Sequence, residues 1–93
     1  MLLSRFKIVG HSMEPTFNPG DVVLISSFPY ILRNPMVGDL IVLKREKYII
    51  KRIEKIKENK FFVVGDNKKE STDSRKFGWV SRNEIVGKII LKI

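Results

Sequence analysis

Pro19-Gly20-Asp21-Val22-Val23-Leu24-Ile25 decides the fold class. A turn signal runs directly into a β-branched apolar run that suits a buried strand. The same order returns at Val37-Gly38-Asp39-Leu40-Ile41-Val42-Leu43. Upstream, Phe6 to Val9 reads as a first strand ending at Gly10, and Phe28 to Pro35, with two prolines, reads as an irregular loop. Downstream, Lys44 to Lys47 looks like a hairpin connection. Tyr48 to Lys57 is ambiguous, because Ile49, Ile53 and Ile56 also fit helical spacing. Its β-branched content and the tight exit at Glu58-Asn59 favour a strand whose alternation slips after Ile53, at a bulge. Phe61 to Val64 predicts a short strand, residues 68 to 76 a polar loop, and Ser81-Arg82-Asn83-Glu84 one capped helical turn. Val86 to Ile93 predicts the last strand, with Gly87 at a bend or bulge. Short strands with turn signals every eight to twelve residues predict an all-β fold. The expected form is a small, partly closed antiparallel barrel with at most one or two helical turns.

The chain has 93 residues, which predicts a single domain over residues 1–93 with one core. At 43% hydrophobic and 30% charged it falls among globular chains, outside the disordered class. Cysteine is absent, which excludes a disulfide framework and is compatible with a reducing, cytoplasmic setting. With one histidine, no metal site and no cofactor are expected. The longest apolar run, Val22 to Leu32, is interrupted by Ser26, Ser27 and Pro29 and falls short of the ~20 residues of a membrane span. The first five residues are too short for the apolar region of a signal peptide. These features predict a chain without a transmembrane anchor. A net charge of +8 admits an acidic partner, either an anionic membrane surface in peripheral contact or nucleic acid. Glu46, Glu54, Glu58 and Glu70 interrupt the lysines, so the charge also reads as an ordinary solvated surface.

Chemistry centres on Gly10-His11-Ser12-Met13-Glu14-Pro15-Thr16. A serine hydroxyl needs a base to become a nucleophile. His11 is adjacent to Ser12, and neighbouring side chains on an extended backbone point to opposite sides, so His11 is expected at the rim without a catalytic part. Lysine can serve when neutral. Its pKa must then fall from about 10.4 to roughly 7–8, which costs the ammonium about 4 kcal/mol of relative stability. Burial among apolar side chains supplies such a shift, and a neighbouring cation adds to it. Lys51, flanked by Ile49, Ile50 and Ile53 with Arg52 beside it, has the most apolar setting of the lysines. On a strand it shares a face with Ile49 and Ile53 while Arg52 turns away. From the residues alone, Ser12 as a turn hydroxyl and Lys51 as a stem along the barrel with its head in water stay open.

Gly10 to Thr16 with Pro19-Gly20-Asp21 resembles the nucleophile box of the signal peptidase I family, and Gly38-Asp39-Leu40-Ile41-Val42 resembles its second box. Tyr48-Ile49-Ile50-Lys51-Arg52-Ile53 is similar to its lysine box. Its last box is matched by Gly65-Asp66-Asn67, Ser71, Asp73-Ser74-Arg75, Phe77-Gly78 and Gly87-Lys88. The resemblance implies a serine endopeptidase with Ser12 as nucleophile and Lys51 as general base. It also implies Ser71 holding the lysine amine, Asp73 and Arg75 pairing to fix that loop, the Ser12 backbone N–H in the oxyanion hole, and Met13 in substrate binding. Some members add a serine hydroxyl two positions before the nucleophile, where this chain has Gly10. Eukaryotic-type relatives place histidine where this chain has Lys51. The chain lacks the large insertion of many bacterial members and most resembles the short nickel-type superoxide dismutase maturation proteases. Residues 65 to 80 are the most similar part. The implied partner is a protein precursor, the nickel superoxide dismutase proenzyme, whose propeptide would be removed by a monomeric enzyme.

Two other readings follow from the same residues. One is a signal peptidase I-type domain that cleaves secretory signal peptides at the membrane. The other is a non-enzymatic basic β-barrel that binds nucleic acid through Lys44 to Lys60, Tyr48 and Phe61. The latter leaves the serine box and the Asp73-Ser74-Arg75 loop without a purpose, so no nucleic acid is expected. A self-cleaving repressor-type protease would share the base chemistry, but the chain shows no DNA-binding domain or internal cleavage segment.

Overall fold

The computed structural model describes residues 3–93 and holds one antiparallel sheet of seven strands. These are β1 (Ser4–Lys7), β2 (Val22–Ser26), β3 (Leu40–Lys44), β4 (Tyr48–Lys57), β5 (Lys60–Val64), β6 (Val80–Ser81) and β7 (Ile85–Lys92). Their spatial order is β1-β2-β7-β3-β4-β5-β6, so the sheet curls into a half-barrel with β1 and β6 at its open edges. The all-β, partly closed barrel expected from the strand and turn spacing is the architecture found.

β3 lies at the centre, paired with β7 on one side and β4 on the other. Its side chains alternate between two cores. Val42 joins Ile8, Met13, Phe17, Val23, Ile25, Ile50 and Ile89 in the first. Ile41 and Leu43 join Ile53, Phe61, Val63, Val80 and Ile85 in the second. Burial on both faces is why 40–43 reads as an unbroken apolar run with no polar alternation.

β4 links the two halves of the sheet. Tyr48–Arg52 pairs with β3 and Arg52–Lys57 pairs with β5, with a register shift between Ile53 and Lys55 where the alternation was expected to slip. Glu58 and Asn59 turn the chain with positive φ of 50° and 64°, a backbone that suits a tight hairpin. Register places Lys51 opposite Ile41 and Ile49 opposite Leu43, so Lys51 rises from the second-core face. Arg52, opposite Leu40, takes the other face.

Several elements differ from expectation. β1 ends at Lys7, because Ile8 leaves the ladder to donate its N–H to the Asp21 carbonyl and accept from Gly20 at the turn. The loop at 28–35 contains a helical turn, α1 (Pro29–Leu32). Pro29 at the first helical position carries no N–H to leave unpaired, and Pro35 biases Asn34 away from helix. The polar loop at 68–76 contains a 3-10 turn at Lys68–Glu70 and a second helical turn, α2 (Ser74–Phe77). Asp73 caps α2 by accepting the Arg75 N–H, and Gly78 ends it at φ 83°. The two four-residue helices, about one turn each, keep within the one or two helical turns expected, and short 3-10 turns at Lys68–Glu70 and Arg82–Glu84 accompany them. The capped turn expected at Ser81 forms as Arg82–Glu84, with the Glu84 carboxylate accepting the Ser81 N–H at 2.9 Å.

At Gly87 the β3–β7 register shifts, and a Cβ there would meet the Ser26 carbonyl oxygen at 2.8 Å. Backbone cannot give way as a flexible side chain would. Gly87→Ala is therefore expected to cost about 1–3 kcal/mol, read as a lower urea midpoint with an unchanged slope.

Candidate active site

Ser12 sits in a tight turn between two anchors. Met13 and Phe17 are 2% and 5% exposed and belong to the first core, and the Phe17 N–H donates to the Met13 carbonyl at 2.9 Å. The chain between Gly10 and Phe17 thus has little freedom, and Gly10 enters it at φ 80°. The loop after β5 fastens the turn from the far side. The Asn67 N–H donates to the Ser12 carbonyl at 2.9 Å and Asn67 Nδ2 to the His11 carbonyl at 3.0 Å. Asp66 accepts from Thr16 in that turn and from Arg52 on β4 through Nε and Nη2, both at 2.9 Å. Burial of Asp66 opposes ionisation, but the Arg52 fork is the larger effect and lowers its pKa. Asp66 and Asn67 stood inside the quoted motif, yet their role as clamps escaped the sequence reading. Pairings 50 and 56 residues apart are set only by the fold.

Lys51 is 4% exposed, and its Nζ donates to Ser71 Oγ at 3.2 Å. Ser71 in turn donates to Asp73 Oδ2 at 2.8 Å. A hydroxyl has one proton, so with that proton given to Asp73 the Ser71 oxygen presents lone pairs to the lysine. An N–H of the amine is thereby occupied, and the remaining valences of nitrogen point elsewhere.

Asp73 is fully buried and saturated. It also accepts from the Gly65 N–H at 2.8 Å, the Arg75 N–H at 3.1 Å, Arg75 Nε at 2.9 Å and Arg75 Nη2 at 2.8 Å. Burial alone would push its carboxyl up. The Arg75 fork, the Gly65 amide and Ser71 outweigh that and hold it well below the usual carboxylate range. For Lys51, burial is the leading influence and lowers its pKa. The Asp73 charge works against this, while Arg75 and Lys47 reinforce it. The cations that assist are therefore Arg75 and Lys47, whereas the sequence neighbour Arg52 is engaged by Asp66.

Ser12 and Lys51 line one cleft of about 390 Å³. Ile8, Met13 and Ile50 contribute apolar wall, and His11 and Glu70 are polar groups of its lining. Met13, expected at the substrate-binding surface, lines this cleft while most of its side chain is buried in the first core. His11 is held by a contact of its own rather than by strand alternation. The backbone turns here, and His11 Nδ1 lies 2.9 Å from a Glu14 carboxylate oxygen, which raises its pKa. Among the described residues no protein acceptor consumes the Ser12 N–H. Gly65 is required where it stands, since a Cβ would collide with the Ser71 side chain and meet the Ser12 carbonyl at 2.6 Å.

The profile of the family described as "Signal peptidase, peptidase S26" matches residues 1–54 and 51–93. "Signal peptidase I V" of Bacillus subtilis (strain 168) is 25% identical over 137 aligned positions, taking in 90% of this chain and 82% of that protein. "Signal peptidase I" of Aquifex aeolicus (strain VF5) is 41% identical over 46 residues, which is 50% of this chain and 18% of the relative.

The Asp73 carboxyl has a lowered folded-state pKa, so the stability it contributes is present above the unfolded value and lost as pH falls through the folded one. Asp73→Asn is expected to lose about 1.5–3 kcal/mol at pH 7. The gap from the parent should narrow as pH drops below about 4, when the unfolded carboxyl protonates. Urea titrations of both proteins at pH 7 and at pH 3 check this.

Proposed function

The chain belongs to the signal peptidase family, peptidase S26, as a serine endopeptidase, and from that premise we propose that Ser12 and Lys51 are its catalytic dyad. The observation that carries the reading is a buried lysine whose pKa is lowered, held by a hydroxyl and lining the same cleft as Ser12. The neutral Lys51 amine takes the proton as Ser12 Oγ attacks the scissile carbonyl. The Ser12 N–H supplies a donor to the developing oxyanion, and Gly10 adds no side-chain donor. Collapse of the tetrahedral adduct passes the proton to the leaving amine and leaves an acyl-Ser12 ester. Water, deprotonated by Lys51, then releases the acyl group. Ser71, with Asp73 and Arg75 behind it, orients the amine and acts through Lys51.

The substrate reading is maturation of a protein precursor, with the nickel superoxide dismutase proenzyme as the first candidate. The support is the likeness of residues 65–80 to the proteases that remove that propeptide. Cleavage of secretory precursors at a membrane is the second reading, favoured by the names of the two relatives. Among the described residues no helix is long and apolar enough to cross a membrane. A single domain over residues 1–93 that works as a monomer suits either substrate.

Incubation with each precursor, with and without anionic vesicles, followed by mass measurement of the products, separates the two. Propeptide removal without vesicles supports the first reading, and cleavage confined to secretory precursors with vesicles supports the second. With whichever substrate is cut, Ser12→Ala should abolish turnover and Lys51→Ala should lower kcat by about 10²–10⁴. Because the folded pKa of Lys51 is lowered, kcat/KM should rise with pH through a midpoint below 10.5 as the amine loses its proton. Undiminished cleavage by Lys51→Ala at neutral pH would sink the dyad.

A further inference from the structure

The outer face of the β4–β5 hairpin carries side chains that neither the cores nor the catalytic cleft use. Phe61 and Val63 point into the second core, so Lys60 and Phe62 take the opposite face of β5. Across the hairpin, Lys55 stands opposite Phe62 and Lys57 stands opposite Lys60. Trp79 reaches the same face just before β6, whose Val80 is buried in the second core. The Phe62 and Trp79 rings meet edge to face with centroids 5.3 Å apart, and the Lys55 ammonium lies 5.3 Å from the Phe62 centroid. Phe62 is thereby covered, whereas Trp79 remains 42% exposed. Trp79, Lys57, Glu58 and Lys60 line a hollow of about 330 Å³.

Charge on this face is unbalanced. Lys57 and Lys60 form a cross-strand pair of like charges, an arrangement that costs stability and that an anion set between them relieves. Among the described residues no carboxylate pairs with Lys55, Lys57 or Lys60. Glu58 is the one anion among the residues of the hollow, against two lysines with Lys55 beside them. A phosphate backbone or an anionic lipid surface presents charge as an array, part of which Glu58 would repel. A peptide places its carboxylates singly, so one can meet the lysine pair while the next position avoids Glu58. The exposed part of the Trp79 ring offers apolar contact to a neighbouring side chain of the same peptide.

We propose that the outer face of the β4–β5 hairpin docks an acidic segment of a protein partner, with a carboxylate set between Lys57 and Lys60 and an apolar side chain against Trp79. The hollow shares no residue with the catalytic cleft. Lys57 lies six residues beyond Lys51 on β4, about 20 Å at roughly 3.3 Å per residue. A segment held there leaves the cleft open. The proposal stands apart from the reading of Ser12 and Lys51 as the dyad.

Trp79 is the single tryptophan of the chain, so its emission reports on this face alone. The full chain carrying Ser12→Ala is titrated with four probes. These are a twelve-residue peptide of glutamates around two central leucines, the same peptide with serines for the leucines, a thymidine 12-mer, and phosphatidylglycerol–phosphatidylcholine vesicles. The leucine peptide should shift Trp79 emission saturably, bind about threefold or more tighter than the serine peptide, and weaken as salt rises. Lys57→Glu with Lys60→Glu should weaken it at least about tenfold, and the milder Lys57→Gln about threefold. Arg5→Glu with Lys7→Glu makes the same change of net charge on β1, at the far edge of the sheet, and should leave binding within about twofold. No emission shift with the leucine peptide overturns the proposal, as does an equal loss in both double variants, which marks general charge attraction. Tighter binding of the oligonucleotide or the vesicles assigns the face to nucleic acid or membrane and overturns it too.

Discussion

The carboxylate of Asp73 is the constraint on which the site depends. Fully buried, it gathers the Ser71 hydroxyl, the Gly65 amide and three donors of Arg75, and so joins the end of β5 to the start of α2. A buried charge is tolerated only when its lone pairs are filled. Filling them fixes the loop. Ser71 is thereby oriented with its proton turned from Lys51, and Gly65 is drawn close enough to the nucleophile turn that no side chain fits between.

The same carboxylate poses an electrostatic conflict. A negative charge one hydroxyl away from a lysine favours the ammonium, the wrong form for a base, and Asp73 does raise the pKa of Lys51. Arg75 resolves this. Its guanidinium neutralises the aspartate at 2.8 Å and itself lowers the lysine pKa, leaving burial to dominate. Asp73 and Arg75 thus work as one unit, a hydroxyl-orienting group whose charge is cancelled locally. Lys47, at the mouth of the β3–β4 hairpin, pushes in the same direction.

Two cores make the geometry rigid. The nucleophile turn is anchored in one through Met13 and Phe17, and Lys51 rises from the sheet face that carries the other. β3 and β4 carry both, so neither half of the site can shift without disturbing the central strands. The Asp66 bridge between Thr16 and Arg52 fastens the two halves at the surface.

Much of this was legible along the chain. Turn signals before Val22 and Leu40, the slip after Ile53 and the cap at Ser81 are local, set by backbone preference and side-chain period, and they stand in the structure where they were read. Helical turns at Pro29–Leu32 and Ser74–Phe77 were missed, because a single turn is too short to show a period. The apolar setting of Lys51 was also local, since its flanking isoleucines are strand neighbours. Which cation assists it, and which groups clamp the nucleophile turn, were not. Arg75 rather than Arg52 lowers its pKa, and Asp66 and Asn67 hold a segment some fifty residues away. Sequence by itself determined the strands, the family and the residue types available for chemistry, because these follow from local pattern. Only the tertiary structure decided who meets whom, since contacts between distant segments depend on strand order and on the burial that closing the half-barrel creates.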